Sequence, residues 1–195
     1  MNALATAAGS AAAFVLASCV SASGGARRVE VLAAVRNPDD RLGGGDESHN
    51  VFGASAVIED AELENVAADI GVRVADFESD EDRGSWFLEL HVGARYYLLS
   101  RRSPLRPFVG AGIMGAFGEH TEYFEDKDGK SLYEDPEEGP WLPAGLYGCV
   151  GLDLALDPLV LSVAARAALA DGIDPFARDP NDVAVDVVAA VGWRF

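Results

Sequence analysis

From Asp182 to Phe195 the chain alternates without a break. Its odd positions are Val183, Val185, Val187, Ala189, Val191, Trp193 and Phe195, while the even ones include Asp182, Asp186, Gly192 and Arg194. Successive side chains of a strand point to opposite faces, so this segment has one wholly apolar face and one carrying charges of both signs. That is more apolar surface than a soluble hairpin needs. A strand standing between lipid and a polar interior fits the pattern.

Seven further segments share the period of two. Their apolar sets are Val29, Val31, Ala33, Val35; Phe52, Ala54, Ala56, Ile58; and Val66, Ala68, Ile70, Val72, Val74. The fourth is the clearest, with Trp86, Leu88, Leu90, Val92, Ala94, Tyr96 and Leu98 opposed by Ser85, Glu89, His91, Gly93 and Arg95. Val109, Ala111, Ile113 and Phe117 mark the fifth, Leu146, Val150, Leu152 and Leu154 the sixth, and Leu159, Leu161, Val163, Ala165, Ala167 and Leu169 the seventh. Eight strands is an even number, as a single-chain bacterial barrel requires. The expected fold is all-β: an eight-stranded antiparallel up-and-down transmembrane β-barrel over residues 23–195, preceded by a signal peptide at 1–22.

The opposite faces collect Glu30, Arg36, Glu59, Asp69, Arg73, Glu89, His91, Arg95, Arg106, Asp153, Arg166, Asp186 and Arg194. Eight strands enclose an interior just wide enough for side chains to fill, so charges there must pair. Asp69, Arg73, Glu89, His91, Arg95, Asp153, Arg166, Asp186 and Arg194 are the expected members of a lumen ionic network. Such a lumen is plugged.

Connections alternate in length. Long ones run from about Asn37 to Asn50, Asp76 to Gly84, Glu119 to Pro140 and Asp171 to Asp182. Short ones are Asp60 to Asn65, Ser100 to Pro104 and Asp157-Pro158. Long loops outside the cell and short turns in the periplasm is the outer-membrane arrangement. The four long connections hold 22 of the 32 acids and 5 of the 15 Lys and Arg, which accounts for the whole net charge of -17. An acidic chain is no partner for nucleic acid, whose phosphates call for a basic surface. Arg27-Arg28 and Arg101-Arg102 belong to the periplasmic side. Aromatic girdles are expected from Trp86, Phe117 and Trp141 at the outer rim, and from Tyr96, Tyr97, Trp193 and Phe195 at the inner one.

Residues 1–22 read as a secretory leader, because the apolar run Ala11 to Ala17 is too short to span a bilayer. Leu16-Ala17-Ser18-Cys19 resembles a bacterial lipobox, which implies lipidation of Cys19; cleavage after Val20-Ser21-Ala22 is the other reading. With Cys149 as the second cysteine, no disulfide framework is expected.

Leu90 to Tyr97, followed by a short turn and Arg106 to Gly112, resembles the central hairpin of the small OmpA/OmpX-type outer-membrane β-barrels. Val191-Gly192-Trp193-Arg194-Phe195 is similar to the C-terminal signal of that group. The resemblance covers about residues 28–195 and implies outer-membrane localisation, with outer-membrane lipid and the barrel assembly machinery as partners and Trp193 and Phe195 as the assembly signal. It implies no activity, since such folds host unrelated functions.

Candidate chemistry is sparse. Asp126-Lys127-Asp128-Gly129 would place Phe124 at the first position of an EF-hand, which excludes that motif; divalent cations at the acidic loops stay a candidate partner. Neither His49, His91 nor His120 has a nucleophile and acid in a pattern for catalysis, and His91 and Ser162 both fall on the inner set. No phosphate-binding, dinucleotide or metal-spacing motif occurs, so no cofactor is expected. The expected protein is a monomeric, non-enzymatic barrel with an envelope structural or surface-interaction role. The alternatives are a lipid-modifying outer-membrane enzyme and a soluble lipocalin-like binder.

Overall fold

The computed structural model describes residues 27–38, 49–59, 63–79, 83–119, 124–125, 131–132, 144–170 and 183–195. The leader at 1–22, Cys19, Trp141, His120 and most of the Glu119 to Pro140 segment lie outside the described residues.

Eight long strands form the wall: β1 (Arg27–Pro38), β2 (His49–Glu59), β3 (Val66–Ser79), β4 (Arg83–Tyr97), β5 (Leu105–Glu119), β8 (Ala144–Leu156), β9 (Leu159–Ala170) and β10 (Val183–Arg194). Between β5 and β8, β6 (Phe124–Glu125) and β7 (Ser131–Leu132) pair as a separate two-stranded ladder. Every wall strand is antiparallel to its neighbours, and β1 pairs with β10 to close the barrel. Closure removes the unpaired edges that an open sheet would leave. It runs to the last rung, where Phe195 N donates to Arg27 O at 2.9 Å and Arg27 N to Phe195 O at 3.3 Å.

With this topology the β1–β2, β3–β4, β5–β8 and β9–β10 connections share one end of the barrel. The tight turns share the other, among them the cis Asp157-Pro158. One connection is shorter than the sequence suggests: β3 and β4 run on as a ladder to the pair Ser79 and Arg83. Asp76 and Glu78 therefore belong to a strand and not to a loop. Antiparallel pairing can continue past the barrel rim wherever two neighbouring strands keep extended backbone, whatever their charge.

The wall faces outward with its apolar set. Val31 is 67% exposed, Val187 66% and Ile113 62%. Ala54, Ala56 and Val72 share that face but are buried; Ala54 lies in register between Val31 and Val72, Ala56 between Val29 and Ile70, and Val72 between Ala54 and Leu90. Tyr97 departs from the girdle expected of it. It is fully buried on the inner side, since its position has the parity of Arg95 and His91.

Candidate functional site

The interior is where this chain concentrates unusual chemistry. Arg28, Arg36, Arg73, Arg95, Arg106 and Arg166 are buried there with Glu30, Glu59, Asp69, Glu89, Asp153 and Asp186, six of each sign. Buried charges are tolerated when paired and hydrogen-bonded. The register sorts these into three layers along the barrel axis.

Toward the long connections, Asp186 and Glu89 are shared by three arginines. Arg36 grips Asp186 with two hydrogen bonds, Nε to Oδ1 at 2.7 Å and Nη2 to Oδ2 at 3.1 Å, and its Nη2 also reaches Glu89 at 2.8 Å. Arg73 adds a bond to Asp186 at 2.9 Å. Arg166 spans both acids, at 2.8 Å from Glu89 and 3.2 Å from Asp186, with its guanidinium 4.3 Å from the centre of the Tyr147 ring. Two-pronged arginine pairs fix geometry as well as charge.

The middle layer has more acids than arginines. Arg95 donates to Asp69 and to Glu30, both at 2.8 Å; Arg28 bridges Glu30 at 2.7 Å and Asp153 at 2.6 Å. Hydroxyls complete it. Tyr97 donates to Asp153 at 2.9 Å, Ser162 to the other oxygen of Asp153 at 2.6 Å, and Ser55 to Glu30 at 3.1 Å. His91 Nε2 stands 3.7 Å from Asp69, beyond hydrogen-bond range.

At the tight-turn end, Glu59 gathers Arg106 at 2.7 Å, Arg101 at 3.2 Å and Arg194 at 3.9 Å. Arg106 also lies 3.8 Å from the centre of the Tyr97 ring. This stacks the end layer onto the middle one.

Of the nine residues expected in the lumen, Asp69, Arg73, Glu89, His91, Arg95, Asp153, Arg166 and Asp186 are buried inside. Arg194 is at the mouth, its side chain 22% exposed. The buried position in its place is Arg28, expected at the periplasmic start. Parity could have found it: Arg28 precedes Val29 of the outward set and so points inward. Glu89 and Arg95, three inward positions apart on β4, belong to different layers. Strand rise separates them by about 20 Å, too far for one contact.

Trp193 and Phe195 face outward and are exposed. Cys149 is a free, half-buried thiol on the inner set. Among the described residues no group of three or more His, Cys, Asp or Glu is placed to hold a metal ion.

Solved small outer-membrane barrels share this fold. Neisserial surface protein A matches with a TM-score of 0.59 at 16% identity, over 89% of this chain and 98% of that one. Ail, the attachment invasion locus protein of Yersinia pestis, solved with the heparin analogue sucrose octasulfate, gives 0.56 at 12% over 89% and 100%. The N-terminal β-barrel domain of Pseudomonas aeruginosa OprF gives 0.50 at 13% over 88% and 100%. At such identities the likeness is one of fold. No protein-family profile matches the chain, and no curated protein matches it in sequence.

Proposed function

We propose that this chain is a bacterial outer-membrane protein whose barrel spans the bilayer with a plugged lumen, and whose role is non-enzymatic. It acts in envelope structure or in surface interaction through its acidic connections. The observation that carries this reading is the inversion of the wall, apolar outward and ionic inward. A soluble ligand-binding barrel needs the opposite lining, with an apolar interior and a wet exterior. The dimensions agree: twelve residues of β9 at about 3.3 Å each, tilted by about 40°, reach roughly 30 Å, the thickness of the hydrocarbon core.

The three ionic layers support the plug, because together they cross the lumen from one end to the other. Against a lipid-modifying activity stands the placement of the candidate nucleophile and base. Ser162 is committed to Asp153, and His91 is buried inside the wall, so neither meets an acyl chain. Surface interaction is assigned to the long connections because binding residues concentrate on loops carried by a rigid scaffold. Divalent cations are the ligands their carboxylates suit best.

Cell fractionation and planar-bilayer recording test the reading together. The folded chain is expected in the outer-membrane fraction, migrating differently before and after boiling, with no steady single-channel current. Recovery in the aqueous fraction defeats the membrane assignment, and a steady current defeats the plug. For the loops, calorimetry with millimolar Ca²⁺ or Mg²⁺ should show heat that a variant lacking residues 122–138 loses. Equal heats in the two proteins remove the cation reading.

A further inference from the structure

Near the centre of the lumen the side chains leave a cavity of about 30 Å³ whose wall includes Asp69, Arg73, His91, Tyr147, Ala164 and Arg166. Besides the Nε atoms of Arg73 and Arg166, three side chains of this wall have buried polar atoms without a hydrogen-bond partner: Oδ1 of Asp69, Nδ1 of His91 and the hydroxyl of Tyr147. Each of these three residues is at most 5% exposed. They are neighbours, since His91 Nε2 is 3.7 Å from that same Asp69 oxygen, and the His91 and Tyr147 rings meet edge-on with centroids 5.6 Å apart. Leaving even one such atom unsatisfied in a dry interior is costly.

The backbone keeps these groups in place. Two inward wall positions are glycines where a Cβ would collide with them: Gly71 with the His91 ring and Gly93 with the Tyr147 hydroxyl. The rings therefore lie tight against the wall.

The chemistry of the three atoms selects what can enter. A carboxylate oxygen only accepts, a phenol donates and accepts, and a neutral imidazole nitrogen does one or the other. An anion would meet Asp69, and a cation would meet Arg73 and Arg166. A small neutral molecule that both donates and accepts suits all three groups. Water requires roughly 10–15 Å³ and two to four polar partners, so the cavity holds one or two molecules.

We propose that Asp69, His91 and Tyr147 form an internal water-binding site, so that the plug of this barrel is hydrated at its centre. The bound water supplies the second oxygen of Asp69 with a donor and links His91 to Tyr147 where no direct bond exists. It is a structural ligand of the fold. The site depends only on the lumen and stands whether or not the membrane assignment does.

The test uses the full chain folded in detergent micelles, with water itself as the probe. Water-selective cross-relaxation NMR should show a long-lived water contacting the His91 ring and the Tyr147 hydroxyl or ring protons, and in Tyr147→Phe the contact with His91 should weaken. Absence of any water contact at His91 and Tyr147 in the folded wild type overturns the proposal. Ala164→Val gives a second readout by narrowing the cavity. If water is there, displacing it abolishes the cross-peaks and lowers the urea midpoint. A raised midpoint means that the valine filled empty space, and the site is then dry.

Discussion

Asp186 shows how much a single residue can carry in this lumen. It accepts from Arg36, Arg73 and Arg166, so Asp186→Ala leaves three buried guanidiniums facing Glu89 alone. Removing one partner of a buried pair costs about 3–5 kcal/mol. The urea midpoint of the refolded barrel should fall accordingly, whereas Asp157→Ala in the exposed tight turn should leave it within error. Equal midpoints would mean that the lumen charges are solvated. Tyr97→Phe removes less: the ring keeps its packing against Phe108 and Arg106, but the donor to Asp153 is lost, an expected cost of about 1–2 kcal/mol. At this scale the alternation of the sequence already sorts charges to one face, and parity alone puts Arg28 and Tyr97 inside. Their chemistry pointed elsewhere, because arginine at a strand start and tyrosine near a strand end are the usual markers of a membrane boundary.

Strands β4, β5 and β8 pack two inward glycines against the Tyr147 ring. Gly93 and Gly112 are register partners, and a Cβ on Gly112 would strike the Val92 carbonyl, the Gly93 Cα and the Tyr147 ring. Backbone atoms cannot swing aside as a flexible side chain can. Gly112→Ala should therefore lower the urea midpoint clearly, by an amount typical of overpacking, about 1–3 kcal/mol. Gly148 is the internal control. It lies on the outward face with only the Gly110 carbonyl, at 3.9 Å, near the place of its Cβ. Gly148→Ala should be neutral or mildly stabilising, as removing backbone freedom from the unfolded chain allows. If both changes cost the same, the close approach at Gly112 carries no energy. The element scale also shows where sequence reading stops short: hydrophobic alternation locates strand centres but not ends. The β3–β4 ladder continues through the acidic residues Asp76 and Glu78, whose charge reads as loop.

For the molecule as a whole, the reading rests on which side of the wall meets lipid. Single cysteines at Val92, Val187 and Ser162, in a background with Cys149 replaced by alanine, should divide cleanly once labelled. A lipid-borne quencher reaches the first two and not the third. The reverse division would mean an apolar interior and a soluble barrel. A charge on the outward face provides the energetic counterpart. Val187→Arg should destabilise the barrel in a bilayer by about 2–4 kcal/mol if this position is near the midplane, and should have little effect on a barrel bathed in water. Refolding into vesicles of a short-chain lipid, followed by urea titration, measures the difference.

Alternation by itself determined the eight strands of the wall and the sorting of apolar from charged faces, but not the short β6–β7 ladder, which lies in a segment that reads as a loop. A period of two is a local property, and burial on one side of a wall needs no knowledge of the other strands. Only the tertiary structure decided who pairs with whom. Asp186 meets Arg36 across the closing seam, Arg28 meets Asp153 across the lumen, and Glu89 is separated from Arg95 although both belong to one strand. Those partnerships follow from strand register and from closure of the sheet, which bring residues more than a hundred positions apart to the same height. Side chains that cross a lumen are chosen by that height, and nothing in the order of residues along the chain records it.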